Sequence, residues 1–233
     1  MHPLDDLHPG RHALQAGTTG VQDLSGDRRR GRDGDAGHGG YNGVVTLAIG
    51  PHYQTLETGD RETVERQLGR RLRGTVAVAS RCPYGVVEVI ATSPLLDGDV
   101  PFPTLFWLTC PLLQRAVSGL ESGDFRDELR RRAVETPGFA AAMRQAELDY
   151  IAERDRWAIE MGASEKVQIY FVGREGVGGT VSGGMKCLHA HLAHFLAGGD
   201  NPVGAEVQEA LTGRQESECA GDCGPFLRED RRR

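Results

Sequence analysis

The stretch TVAVASRCPYGVVEVIAT, from Thr75 to Thr92, decides the fold class of this chain. Its two halves, TVAVAS and VVEVIAT, alternate small or apolar residues with polar ones, a pattern typical of β-strands. The turn RCPYG lies between them, so the strands are expected to pair as an antiparallel hairpin. A second turn, LLDGDVPFP, leads into TLFWLT, which predicts a third strand. Together these segments predict a small antiparallel sheet.

The pattern changes to helical spacing after Cys110. Pro111 suits the first position of a helix, and PLLQRAVSGLES, DFRDELRRRAVE and PGFAAAMRQAELDYIAERDRW repeat apolar residues at helical intervals. In the last of these segments a predicted core-facing stripe consists of Phe139, Met143, Ala146 and Tyr150, while the carboxylates expected to face water are Glu147, Asp149 and Glu153. The segment EKVQIYFVG predicts a fourth strand, and AEVQEALTG predicts a last helix. The predicted fold class is therefore α+β, with a small antiparallel sheet followed by a helical region.

The domain organisation follows from composition. Residues 1–55 are rich in Gly, Asp, Arg and His and poor in large apolar residues, so they are expected to be disordered, although NGVVTLAIG within them has the pattern of a short strand. Residues 56–213 are expected to form a single α+β domain that begins with a helix capped by Asp60 and ended by Gly74. Residues 214–233 are expected to form a tail with a C-x3-C pair, Cys219 and Cys223.

Composition also bears on location and partners. The formal charge of -6 and the sequence pI near 5.8 give no overall attraction to nucleic acid, so no nucleic-acid partner is expected. The start of the chain has no secretory signal pattern, and no apolar run has membrane-spanning length, so membrane insertion is not expected and the predicted location is cytoplasmic. The five cysteines are then expected to be free, catalytic or metal-bound rather than paired in disulfides.

The stretch MKCLHAHLAHFLAGGDNPVG, from Met185 to Gly204, concentrates one cysteine and three of the eight histidines. On a helix from Met185 to Ala197, the residues Cys187, His191 and His194 would gather on one face beside the apolar side, with His189 well away from them. Thiolate and imidazole ligands suit zinc, and Cys82 or Cys110 could supply a fourth ligand. The leading hypothesis is a zinc protein, hydrolytic if a coordination position stays open, while iron or an iron–sulfur cluster is an alternative.

Three other interpretations of these residues stay open. Cysteines and histidines beside a core face are often simply buried and hydrogen-bonded. Cys110 at a helix start, or Cys187 with His191 one turn away, could be the nucleophile of a cysteine-dependent enzyme. The protein could also be a non-enzymatic interaction module with buried cysteines and a protein partner. Asn201 and Pro202 are interpreted as a turn.

Several segments together resemble the bacterial family known as domain of unknown function 501. They are RQLGRRLRG, VASRCPYGVVEVIATSPLLDGDVPFPTLFWLTCPLL, GVGG and MKCLHAHLAHFLAGGDNPVG, and the resemblance runs from about Asp60 to the C-terminal cysteines. The family's motif residues coincide with Cys82, Cys110, Cys187, His189, His191 and His194. Family members commonly carry a proline where this chain reads VVEV, which changes the expected turn near Cys82.

The resemblance implies a context rather than a mechanism. Genes of the family often stand beside those for a septum-formation initiator and an exopolyphosphatase-like protein, which hints at cell division, the cell envelope or phosphate metabolism. The first fifty or so residues lie outside the match, which makes an overextended gene start a further hypothesis for that segment.

Overall fold

The computed structural model describes residues 53–96, 100–180 and 185–212, together with Cys219, Gly221 and Cys223. Residues 1–52 of the segment predicted to be disordered, including NGVVTLAIG, fall outside the described residues. The last residues of that segment, 53–55, are ordered, because Gln54 pairs with Val78 and the hydroxyl of Tyr53 donates to Glu153 at 2.8 Å. In the part that is described, the chain forms a small antiparallel sheet and seven helices. The predicted α+β class is therefore confirmed.

The main sheet has three antiparallel strands in the order β1, β2, β5. The hairpin predicted from Thr75 to Thr92 forms β1 (Val76–Arg81) and β2 (Val87–Thr92). A second, two-stranded sheet consists of β3 (Leu95–Leu96) and β4 (Val100–Pro101), and β5 (Phe106–Leu108) returns to pair with β2. Val78 lies opposite Ile90, and Ile90 lies opposite Trp107. The three strands predicted from TVAVAS, VVEVIAT and TLFWLT are present, but the short β3–β4 hairpin was not predicted.

The helices are α1 (Asp60–Leu68), α2 (Pro111–Glu121), α3 (Phe125–Glu135), α4 (Pro137–Glu160), α5 (Glu165–Phe171), α6 (Leu188–Leu196) and α7 (Pro202–Leu211). The main core joins one face of the sheet to α2, α4, α6 and α7 through side chains such as Phe106, Leu113, Tyr150, Leu192 and Val207. Helix α6 packs against β5, α2 and α7. This position brings the start of α6 to the end of α2. No helix in the described ranges is long and apolar enough to cross a bilayer.

Helix α1 ends earlier than predicted. Asp60 is its first residue rather than its cap, and the residue before it is Gly59. The helix terminates at Gly69, whose φ of 65° lies in the left-handed region, with its N–H bonded to carbonyls of the last turn. Glycine adopts this conformation without a steric penalty from Cβ. Gly69 therefore supplies the stop that was expected of Gly74.

The fourth strand predicted from EKVQIYFVG is wrong, because this segment forms α5. Val167 and Phe171 are buried four residues apart, where they pack with Ala158, Ala163 and Leu95. The residues between them, including Ile169, are largely exposed. On a strand, Ile169 would share a face with Val167 and Phe171, so its exposure fits a helix instead. This packing overrides the strand propensity of a β-branched and aromatic run.

Helix α4 confirms the predicted core stripe but corrects the prediction for one carboxylate. Phe139, Ala146 and Tyr150 are buried. Glu147, expected to face water, is only 7% exposed, and Arg144 lies 3.3 Å from its carboxylate. Burial raises the pKa of Glu147, and Arg144 opposes that rise. The buried face of α4 is therefore wider than its apolar residues alone indicate.

Candidate functional site

The start of α6 determines which side chains can meet. Cys187 precedes the helix with an extended backbone (φ -154°, ψ 151°), and the first helical residue is Leu188. The helix predicted from the sequence began at Met185 and therefore included Cys187. Because Cys187 is not helical, the spacing i, i+4, i+7 does not carry it to the face of His191 and His194. Its sulphur meets a different set of residues.

One group of three ligand atoms in the described part of the chain is close enough to hold a metal ion. It consists of Glu121, Cys187 and His189, whose carboxylate, sulphur and ring nitrogen lie within 4.8 Å of one another. Glu121 is the last residue of α2, and the other two flank the first residue of α6. The structure therefore groups Cys187 with His189, the histidine that the helical projection set apart.

The imidazole of His189 is held at both nitrogens. Nε2 lies 3.1 Å from the main-chain carbonyl oxygen of Gln114 and 3.4 Å from the hydroxyl of Ser118. Because a carbonyl oxygen can only accept, the Gln114 contact places a proton on Nε2. Nδ1 faces the carboxylate of Glu121 at 3.3 Å. In the neutral ring, Nδ1 carries the lone pair, which points toward Glu121.

Charge around His189 favours its protonated form in the absence of a metal. Burial by itself would lower the pKa of His189. The side chain of Cys187, the carbonyl of Gln114 and the carboxylate of Glu121 together outweigh burial, so its pKa is raised. The site is therefore built to hold positive charge at this ring.

Glu121 joins α2 to α6. Its Oε1 accepts the main-chain N–H of Leu188 at 2.5 Å, which satisfies one of the N–H groups left unpaired at the helix start. The positive end of the helix dipole also favours a carboxylate there. The side chains of Glu121 and His189 are 21% and 27% exposed, so the site is fixed in position yet reachable from solvent.

His191 and His194 are instead buried in the interior, each 4% exposed. The side-chain amide nitrogen of Asn201 lies 3.2 Å from Nδ1 of His191 and 3.1 Å from Nδ1 of His194. The ring of His194 also stacks on Phe106, with ring centroids 5.6 Å apart. Burial lowers the pKa of each histidine to about 4. Both are neutral at pH 7.

Asn201 does more than make the turn predicted for it. It is 1% exposed, and its Oδ1 accepts the N–H of Gly204, which caps α7. Its amide nitrogen meets both histidines at the same time. One buried side chain therefore ends the turn, starts α7 and orders the imidazoles of α6.

Cys82 and Cys110, the cysteines expected to supply a fourth ligand, are not part of the Glu121 group. Cys82 lies in the β1–β2 connection, where its N–H donates to the carbonyl of Val86 at 2.9 Å. Cys110 immediately precedes α2. Burial raises the pKa of Cys110 to about 11, which opposes the thiolate that a helix N-terminus was expected to favour. Cys110 is a half-buried thiol that packs against the main core.

Sequence reasoning missed Glu121, the role of His189 and the wider role of Asn201. A signal for the first exists in α2, where the polar residues Gln114, Ser118 and Glu121 follow at intervals of four and three residues and so share a face. That signal becomes useful only once α2 is known to pack against α6. For Asn201 the signal is its place immediately before Pro202, the typical position of a helix cap.

The fold and the site define an α+β protein with a carboxylate, thiol and imidazole cluster between two helices. The chain belongs to the family described as protein of unknown function (DUF501), which matches residues 78–209, more than half of its length. This confirms the family resemblance found in the sequence. Comparison with curated proteins and with solved structures finds no match to the chain.

Proposed function

We propose that the protein binds a zinc ion through Glu121, Cys187 and His189. The observation that carries this proposal is the approach of three different donor atoms within 4.8 Å of one another, from the end of α2 and the start of α6. In a tetrahedral zinc site with bonds of about 2.0 to 2.3 Å, neighbouring ligand atoms lie about 3.3 to 3.8 Å apart. The 3.3 Å between Nδ1 of His189 and Oε2 of Glu121 already fits this spacing.

The donor set favours zinc over other common ions. Thiolate and imidazole are ligands for zinc, whereas magnesium and calcium prefer oxygen ligands alone. An iron–sulfur cluster usually takes several cysteine ligands, and this group offers only Cys187. Cys187, part of the predicted ligand set, is retained in the proposed site, while His189 and Glu121 replace His191 and His194.

The surroundings support the proposal because each ligand is oriented by a second contact. A zinc-bound histidine typically donates its other ring N–H to a carbonyl or carboxylate. His189 does so toward Gln114, which leaves Nδ1 for the ion. Glu121 keeps Oε2 toward the site while Oε1 is held by Leu188. Little reorganisation would therefore accompany binding.

Three protein ligands would leave one coordination position for water or a substrate. Zinc lowers the pKa of bound water to about 7, and such a water is a nucleophile at neutral pH. The partial exposure of Glu121 and His189 supports access to that position. Hydrolysis, a protein partner, the absence of nucleic-acid binding and a cytoplasmic location stay predictions.

The test is elemental analysis of the full chain purified without a histidine tag, beside the variants Cys187→Ser, His189→Gln and Glu121→Gln. Each variant is expected to lose one equivalent of zinc relative to wild type. Glu135→Gln, which removes an exposed carboxylate at the end of α3, is the matched control and should retain all of it. Wild-type zinc content in all three site variants would overturn the proposal.

A cysteine-dependent enzyme is the second candidate, because Cys187 lies at a helix start beside His189 and an orienting carboxylate. A helix start with an adjacent histidine is a typical position for a nucleophilic cysteine. Protein that contains no zinc and in which iodoacetamide alkylates Cys187 much faster than Cys110 would favour this candidate. Slow alkylation of Cys187 in zinc-loaded protein would favour the metal site.

A further inference from the structure

The four cysteines outside the proposed site are all tied to one hairpin, β1–β2. Cys82 belongs to its turn, where its carbonyl oxygen accepts the N–H of Gly85 at 2.8 Å. Gly85 has a φ of 77°, in the left-handed region that glycine favours. The turn therefore has a defined shape, with Cys82 at its start and Tyr84 exposed near its tip.

The C-terminal cysteine pair, Cys219 and Cys223, lies against this hairpin although it is more than 130 residues away in sequence. The hydroxyl of Tyr84 donates to the carbonyl of Cys219 at 2.9 Å. Gly221 lies against the same ring, where an added Cβ would be 3.0 Å from Cδ1 of Tyr84. The tyrosine thus fixes the pair beside the turn that carries Cys82.

Cys223 reaches the same hairpin from its second strand. The side-chain nitrogen of Gln67 lies 3.8 Å from the sulphur of Cys223 and 3.1 Å from the carbonyl oxygen of Val87. Val87 pairs with Arg81, the residue before Cys82. Gln67 is 1% exposed, and its contact with Cys223 is partly buried.

Cys110 approaches from the far side of β2. Its N–H donates to the carbonyl of Glu88 at 3.3 Å, one residue beyond Val87. The hydroxyl of Thr109, the residue before Cys110, donates at 3.1 Å to the same Val87 carbonyl oxygen that Gln67 contacts. All four cysteines are therefore connected to residues 82–88.

We propose that Cys82, Cys110, Cys219 and Cys223 bind a second zinc ion as a closed, four-thiolate site. Four cysteine ligands are typical of structural zinc sites, in which no position is left for water. All four of these cysteines are described, and no three of their sulphurs lie within 4.8 Å of one another. Binding would thus draw the turn and the C-terminal pair together around the ion. The proposal does not depend on the zinc site at Glu121.

The chemistry of the step is proton displacement. Zinc binds thiolates, so each ligand cysteine releases a proton as its sulphur joins the ion, with no change of oxidation state. The site would attach Cys219 and Cys223 to the sheet, in addition to the contacts with Tyr84 and Gln67.

The experiment measures zinc and cobalt in the full chain for wild type, Cys187→Ser and the double variant Cys219→Ser with Cys223→Ser. Wild type is expected to bind two equivalents of zinc, and each variant one. After cobalt replacement, Cys187→Ser should keep the strong thiolate-to-cobalt absorption of a four-thiolate site. The double variant should keep only the weaker absorption of a single thiolate. Circular dichroism checks that both variants fold.

The outcomes separate the two proposals. Wild-type zinc content in the folded double variant would overturn the second site. One equivalent in wild type, lost in the double variant and kept in Cys187→Ser, would support the second site and overturn the site at Glu121. A second test uses only the wild-type protein, so it does not depend on whether the variants fold. In wild type, bound zinc should slow the alkylation of these four cysteines. A disulfide between any two of them in protein freshly purified under reducing conditions would contradict the proposal.

Discussion

Gly204 of α7 faces the main chain of His191 on α6 so closely that a Cβ at position 204 would lie 2.4 Å from the His191 carbonyl oxygen. The same Cβ would lie 2.4 Å from Cβ of Phe195. The two helices therefore pack backbone against backbone at this point. This contact holds α7 against the helix whose first turn carries His189.

Gly204→Ala is expected to destabilise the protein by about 3 kcal/mol, because main-chain atoms cannot move aside as a flexible side chain can. Urea unfolding monitored by circular dichroism measures the loss. Gly119→Ala in α2 is the matched control, since an added Cβ there meets nothing within 4 Å. That substitution should stabilise by about 0.5 to 1 kcal/mol, as alanine is the better helix former. Equal effects at the two positions would contradict the close packing.

Asn201→Ala is expected to lower the free energy of unfolding by about 2 to 4 kcal/mol, because it removes both the cap of α7 and the amide between the histidines. Asn201→Ser separates the two contributions. Serine can still accept the N–H of Gly204 but is too short to reach His191 and His194. It should recover about 1 kcal/mol of the loss. If serine were as harmful as alanine in urea unfolding, the cap would contribute nothing.

Stability should fall as the pH drops from about 6.5 to about 4 because of His194. Burial and the neighbouring His191 lower the pKa of His194 to about 4 in the folded protein, while Asp149 and Glu153 act in the opposite direction. The unfolded chain, with an ordinary pKa near 6.5, therefore binds a proton in this window that the folded protein does not. The loss approaches about 3 kcal/mol for a shift of this size.

The check is urea unfolding at several pH values between about 7 and 4 for wild type and His194→Gln. Glutamine does not titrate, so the variant should show a pH dependence that is smaller by the contribution of His194. It should also be less stable than wild type at pH 7, since it loses the stacking on Phe106. An unchanged slope between the two proteins would contradict a buried neutral imidazole.

The proposed zinc site predicts that a chelator raises the rate at which iodoacetamide alkylates Cys187 by about tenfold or more, because coordination would block the sulphur. Mass spectrometry of peptides reads each cysteine separately. In His189→Gln, chelation should change the rate little, as zinc no longer occupies the site. The same rate for Cys187 with and without chelator in wild type would argue against coordination.

The elements predicted correctly are those in which the residue pattern and the residues at the boundaries indicate the same structure. β1 and β2 alternate on either side of a proline and glycine turn, and α2 to α4 begin at residues suited to helix starts. The segment of α5 misled because its β-branched and aromatic residues favour a strand locally. Only the burial of Val167 and Phe171 against α4 and β3 makes it a helix.

The cysteine and histidine content of the candidate site could be predicted, but not which side chains lie close together. Cys187 was predicted to be a ligand, but the residues beside it depended on whether α6 began before or after it. Because α6 starts three residues later than predicted, Cys187 lies beside His189 instead of His191. Glu121 was beyond reach because its approach to Leu188 spans 67 residues and depends on the packing of α2 against α6.

Helix α2 begins immediately after Cys110 and ends at Glu121, so the two proposed zinc sites lie at opposite ends of this helix. At 1.5 Å per residue, its 11 residues separate them by about 16 Å. Metal pairs that act jointly on one substrate lie about 4 Å apart. The two ions could therefore share neither a ligand nor a substrate. Any chemistry would be that of a single ion, with the other acting only on the shape of the chain.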